Sequence, residues 1–141
     1  MTARIVVGVD GSASSRKALC WALRYAKLTG AEIEAITAWE FPPSYGWAPV
    51  AYGSAEFEED ASKILAEALA ETSAAGADVQ VEPVVRHGHP ADVLVRAAQG
   101  ADLLVVGSHG HGGFAGLLLG SVSLHCVHHA PCPVLIVPDL G

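Results

Sequence analysis

Apolar positions along this chain follow two rhythms in turn, a short continuous run and a helical stripe. Residues 4–10 (RIVVGVD) are β-branched with little alternation, which predicts a strand covered on both faces. Asp10-Gly11-Ser12 then offers a turn and an N-cap. Ala18, Leu19, Ala22, Leu23 and Ala26 repeat at helical spacing, and Thr29-Gly30 closes that helix with a C′ glycine. A second strand is predicted over 31–39. From Ser54 the stripe returns at Phe57, Ala61, Ile64, Leu65, Ala68 and Leu69, with Glu56, Glu58, Glu59 and Asp60 crowding the dipole-favoured first turn and Gly76 closing the helix. A third strand over 78–87 contains Pro83, which suits a sheet edge because proline cannot donate to a ladder. Pro90 opens the next helix at a position where its missing N–H does no harm, with Ala91, Leu94, Val95 and Ala98 inward. Residues 101–108 (ADLLVVGS) make a fourth strand, 121–129 a fourth helix, and 132–137 (CPVLIV) a last strand.

Regular β-α alternation means parallel strands, since each parallel crossover needs its own helix. The expected fold is therefore one doubly wound, Rossmann-like α/β domain over residues 1–141, with a five-stranded parallel sheet and helices on both faces. Ligands in such sheets sit beyond the carboxyl ends of the strands at the switch point, where Asp10 and Gly107 both fall. Residues 42–53 (PPSYGWAPVAYG) hold three prolines and read as an irregular, functional or mobile loop.

Composition narrows the partners. Apolar residues make up 51% and charged residues 16%, so a packed core is expected and disorder is not. No run of 18 apolar residues and no basic head before an apolar stretch is present, so neither a membrane partner nor a leader peptide is expected. Cys20, Cys126 and Cys132 lack a framework spacing, and the expected location is cytoplasmic. A formal net charge of −7 argues against nucleic acid. No Lys or Arg follows Arg96, so a phosphate held by the last third must be met by backbone N–H groups, hydroxyls, a metal ion or protonated histidine.

The segment 103–123 (LLVVGSHGHGGFAGLLLGSVS) carries the chemistry. Glycines at 107, 110, 112, 113, 116 and 120 directly follow a buried strand. Glycine permits positive φ and a close backbone approach, and successive N–H groups in such turns form an anion-binding concavity. Gly120-Ser121 then opens a helix whose free N–H groups and positive dipole end favour phosphate. Sharper motifs fail: a P-loop needs a Lys-Ser/Thr pair, Gly110-x-Gly112-x-x-Ala115 follows the wrong strand for a dinucleotide fingerprint, and no serine has the glycine spacing of a nucleophile elbow.

Gly107-x-x-Gly110, nine residues, then Gly120-Ser121 resembles the ATP-binding signature of the universal stress proteins. The opening IVVGVDGS, the strand ADLLVVGSHG and the closing APCPVLIV look like that family as well, so the resemblance covers the whole chain. It implies ATP as ligand, with Asp10 against the adenosine near the ribose and Ala38 bordering the adenine. Gly107 and Gly110 would wrap ribose and phosphates. Gly120, Ser121 and Ser123 would donate to phosphate oxygens, and Val122 would frame the site through its backbone. It further implies a dimeric, stress-responsive regulator with little or no nucleotide turnover. Relatives often place arginine or lysine between the glycines, where this chain has His109 and His111. Mg²⁺, or protonation of these histidines, would then have to supply the missing charge.

Other residues admit other readings. His125 and His129 share a helix face at a spacing that can chelate, although a structural role near the helix C-terminus suits them better. His87 and His89 fit capping or loop packing. Trp21 and Trp39 read as core or partner-facing aromatics, and Tyr45 and Trp47 could lie over the nucleotide or at a dimer surface. The last strand is short, apolar and uncharged, an edge that invites pairing with a second copy through residues 133–138. The enzyme alternative is a slow ATPase or phosphotransfer protein, for which Arg16 or Lys17 would have to reach in. A redox or metal-responsive protein using Cys126, Cys132 and the histidines is a third class.

Overall fold

The computed structural model describes residues 2–41, 54–110 and 119–138. The irregular loop over 42–53, with Tyr45 and Trp47, and the middle of the glycine-rich segment, with His111, lie outside the described residues. In order the elements are β1 (Arg4–Gly8), α1 (Ala13–Thr29), β2 (Glu32–Trp39), α2 (Ser54–Thr72), β3 (Val81–His87), α3 (Pro90–Ala97), β4 (Leu103–Gly107), α4 (Ser121–His129) and β5 (Val134–Val137).

All five strands pair in parallel in the order β3-β2-β1-β4-β5, a doubly wound α/β sheet that reverses direction between β1 and β4. Alternate strand residues feed two cores, as a period of two requires. Ile5, Val7, Ile33, Ala35 and Val105 pack under α1 and α2, while Val6, Ile36, Leu104 and Val106 pack under α3 and α4. Pro83 lies on β3, which is an edge strand, and β5 forms the other edge.

Helix ends follow the local chemistry. Ser12 caps α1, its Oγ accepting from the Ser15 N–H at 3.1 Å, and Gly30 ends it in the left-handed region at φ 77°. His89 caps α3, Nδ1 accepting from the Ala91 N–H at 3.2 Å, with Pro90 at the first helical position. The second helix stops earlier than its glycine suggests. It gives way at Thr72 to a 3₁₀ turn over Ser73–Gly76, and a Cβ on Gly76 would stand 2.6 Å from Leu23 Cδ2. Gly76 is small because α1 packs on it.

Strands are shorter than the hydrophobic runs imply, β3 starting at Val81 and β5 at Val134. At the opposite end of the sheet from the glycine loop, Arg4 bonds Glu34 at 2.9 Å and the carbonyls of Ala97 and Gln99 at 3.2 and 2.9 Å. One guanidinium thus closes the C-terminal carbonyls of α3.

Candidate functional site

The sheet reversal opens a gap above β1 and β4, and a cavity of about 440 Å³ occupies it. Asp10, Ala38, Gly107, Gly110, Gly120, Ser121, Val122 and Ser123 all line it. Residues from three elements (β2, β4 and α4) and two loops, up to 113 positions apart in sequence (Asp10 to Ser123), therefore meet in one place. His109 lines it too.

The polar end is built from β4 and α4. Gly120 is the N-cap of α4 in an extended conformation, and among the described residues no side chain caps the helix. The first N–H groups of a helix have no intrahelical acceptor, and among the described residues those of the Ser121 turn have no backbone acceptor either, an arrangement suited to an anion. Two neighbouring donors are already used: the Gly120 N–H donates to the Ser108 carbonyl at 2.7 Å, and the His109 N–H to Ser14 Oγ at 3.3 Å. These bonds hold the loop ends in place instead of offering them to a ligand. The Ser123 hydroxyl is likewise committed, donating to the Gly107 carbonyl at 2.5 Å. Ser121, by contrast, is exposed.

The glycines serve close approach rather than positive φ. Among the described residues the positive-φ glycines are Gly11, Gly30, Gly88 and Gly100, and Gly107, Gly110 and Gly120 are not among them. A Cβ on Gly107 would lie 2.7 Å from the backbone carbon of Ser14, so α1 itself fills that space. On Gly110 it would lie 2.5 Å from Asp10 Oδ2, and on Gly120 3.3 Å from His109 Cα. Helix-to-strand contact thus limits Gly107, and loop-to-loop contact limits Gly110 and Gly120.

Asp10 is held rigidly. Its Oδ1 accepts from the Ser12 N–H at 2.9 Å and from the Ser12 hydroxyl at 2.5 Å, while its own N–H donates to Ser15 Oγ at 3.2 Å. That leaves Oδ2 directed across the gap toward Gly110. The opposite wall is apolar: Ile36, Leu94 and Val106 join Ala38 there, a surface suited to a flat aromatic base. The sequence singled out only Ala38 of these. Strand periodicity places Ile36 and Ala38 on one face, but nothing local shows that Leu94 of α3 reaches the same gap. Gly8 admits that side chain, since a Cβ there would stand 2.8 Å from Leu94 Cδ1.

Arg16 does not line the cavity. It donates to the Gly11 carbonyl at 2.6 Å and pairs with Glu71 at 3.2 Å. The His125 and His129 rings do meet, their centroids 4.4 Å apart, and Asp92 stands 3.7 Å from His125. Among the described residues no group of three side chains is arranged to hold a metal. Trp39 packs between His87 and Phe57, with centroids 4.4 and 6.4 Å away. Burial pushes the Cys126 thiol up to about 11, which makes it an inert core group.

Fold and cavity together define a doubly wound α/β protein with an apolar-walled cleft beside the N-terminus of α4 at its switch point. The universal stress protein family model matches residues 1–138. The chain belongs to the universal stress protein family. A universal stress protein of Mycobacterium tuberculosis (strain ATCC 25618 / H37Rv) is 40% identical over 140 residues, covering 95% of this chain and 43% of that one. One of Mycolicibacterium smegmatis is 37% identical over 137 residues, covering 94% and 45%. The chain thus spans less than half the length of these relatives. Among solved structures, a universal stress protein in complex with cAMP is 35% identical with a TM-score of 0.73, covering 97% of each chain. The Archaeoglobus fulgidus protein in complex with dAMP shares the fold at 24% identity and a TM-score of 0.69, covering 95% of this chain and 96% of that one.

Proposed function

We propose that this chain is a stress-response regulatory module that binds an adenine nucleotide in the switch-point cavity, with little or no turnover. One observation carries the reading: the open N-terminus of α4, the Asp10 carboxylate and an apolar wall converge on a single cavity of about 440 Å³. Phosphate at the helix end, ribose near Asp10 and adenine against Ala38, Ile36 and Leu94 would use every part of it. The cAMP complex of the 35% identical protein supports an adenine nucleotide as the ligand class. ATP is the member of that class that the glycine spacing implies, with Mg²⁺ supplying counter-charge.

Low turnover follows from the chemistry of the lining. Efficient phosphoryl transfer needs a cationic clamp and a positioned base beside the metal. The described lining offers one carboxylate, already bonded to Ser12, and Arg16 is tied to Glu71. The free cysteines support a cytoplasmic location, and the net charge of −7 supports a role apart from nucleic acid. The position of β5 at the sheet edge supports a homodimer through residues 133–138. Mass analysis of the small molecule released when freshly purified protein is denatured tests the ligand. An adenine nucleotide is expected, and protein that neither carries nor binds one refutes the reading. Sedimentation equilibrium tests the dimer.

A further inference from the structure

The C-terminal half of α4 carries His125, His128 and His129, and none of them is among the described residues that line the cavity. His125 and His129 stand about one helical turn apart, where side chains at i and i+4 share a face. Their rings already meet, with centroids 4.4 Å apart and planes tilted by 37°. His128 lies farther off, its ring centroid 6.4 Å from that of His129. From α3, the Asp92 carboxylate comes within 3.7 Å of His125 Nε2. The side chains of His125 and Asp92 are 40% and 60% exposed, and His129 is exposed as well. Cys126, next to His125 in sequence, is buried in the core and takes no part.

Two imidazole nitrogens bound about 2.1 Å from one ion stand roughly 3–3.5 Å apart. Rings whose centroids are 4.4 Å apart reach that spacing by rotation about χ2, a soft torsion for histidine, with the helix backbone unmoved. The electrostatics favour a cation at the same place. The C-terminal end of a helix is its negative end, Asp92 adds a carboxylate, and α4 itself carries no Lys or Arg. Among the described residues no third protein ligand is in place, so water completes the shell. Borderline divalent ions such as Ni²⁺ and Zn²⁺ take imidazole nitrogen readily, whereas Mg²⁺ and Ca²⁺ demand oxygen. We propose that His125 and His129 form a chelating site for a divalent transition-metal ion on the exposed face of α4, with Asp92 of α3 as its counter-charge. Bound there, the ion ties down the last turn of a nine-residue helix, a length that is marginal without outside contacts.

Calorimetric titration of the untagged, nucleotide-free chain with Ni²⁺ at pH 7.5 tests the site. Binding at one ion per chain is expected, and the affinity should fall tenfold or more at pH 5.5, where the imidazoles must shed protons to bind. His125→Ala and His129→Ala should each weaken Ni²⁺ binding at least tenfold. The double variant should be little worse than either, because one imidazole cannot chelate. His128→Ala should bind as the unaltered protein does. Asp92→Asn should weaken binding about threefold at low salt and less at 0.5 M salt, as a screened charge requires. Ni²⁺ should also raise the melting temperature of the unaltered protein and leave that of His129→Ala where it was. Failure of Ni²⁺ to bind, or equal binding by the unaltered protein and both single variants, overturns the proposal. Either result leaves the nucleotide reading of the cavity intact.

Discussion

The Ser123 hydroxyl donates to the carbonyl of Gly107, joining the first turn of α4 to the last residue of β4. Ser123 is 3% exposed and the bond is buried, so water cannot replace it. The register of the helix end over the strand end, and with it the geometry of the anion site, rests on this contact.

Ser123→Ala should therefore cost stability and affinity together. A buried carbonyl losing its donor costs about 1–3 kcal/mol. Urea unfolding should show a loss in that range, and nucleotide affinity should fall as the α4 terminus loosens. Unchanged stability would mean that the helix end is held by something else.

Two glycines of the loop should behave differently. Gly107→Ala forces a Cβ against the Ser14 backbone, which cannot swing aside, and overpacking of this kind costs about 1–3 kcal/mol. Among the described residues Gly110→Ala meets only the Asp10 carboxylate, and Gly110 is exposed. It should leave the melting temperature within a degree or two while weakening nucleotide binding tenfold or more. Thermal melts with and without ligand separate the two cases.

Cys126 should give the protein an alkaline limit. Its thiol is raised from 9.0 to about 11 by burial, so the neutral form is the one the fold favours. That contribution is complete below the unfolded value and disappears as pH climbs through the folded one. Unfolding free energy should fall between pH 9 and 11, and Cys126→Ala should flatten part of that slope. Denaturation at pH 8, 9.5 and 10.5 for both proteins provides the comparison.

Arg4→Met should destabilise without touching the site. The guanidinium bonds Glu34 and two carbonyls after α3, and hydrogen bonds to charged groups contribute about 1.5–3 kcal/mol each. Partial exposure of the Arg4–Glu34 pair reduces its share. A net loss of about 2 kcal/mol with nucleotide affinity unaltered is expected from paired unfolding and calorimetry.

Much of this was readable from local pattern. Ser12, Gly30, Pro90 and the strand runs act within a few residues of themselves, so the parallel α/β alternation followed from neighbours alone. The strand ends did not, because an apolar residue such as Cys132 or Val79 can pack beside a sheet without joining its ladder. The eight proposed site residues all reached the same cavity because strand ends and a helix start are what topology gathers at a switch point.

The order of residues alone thus decided which elements form, where the loop glycines stand, and that no cation follows Arg96. Local backbone propensity and the charge inventory need no third dimension. Tertiary packing decided why Gly107 and Gly110 must be small, that Ser123 spends its hydroxyl on Gly107, that Leu94 walls the cavity, and that Arg16 turns to Glu71. Each of those is a contact between segments distant along the chain, and its distance is set by how helices settle on the sheet.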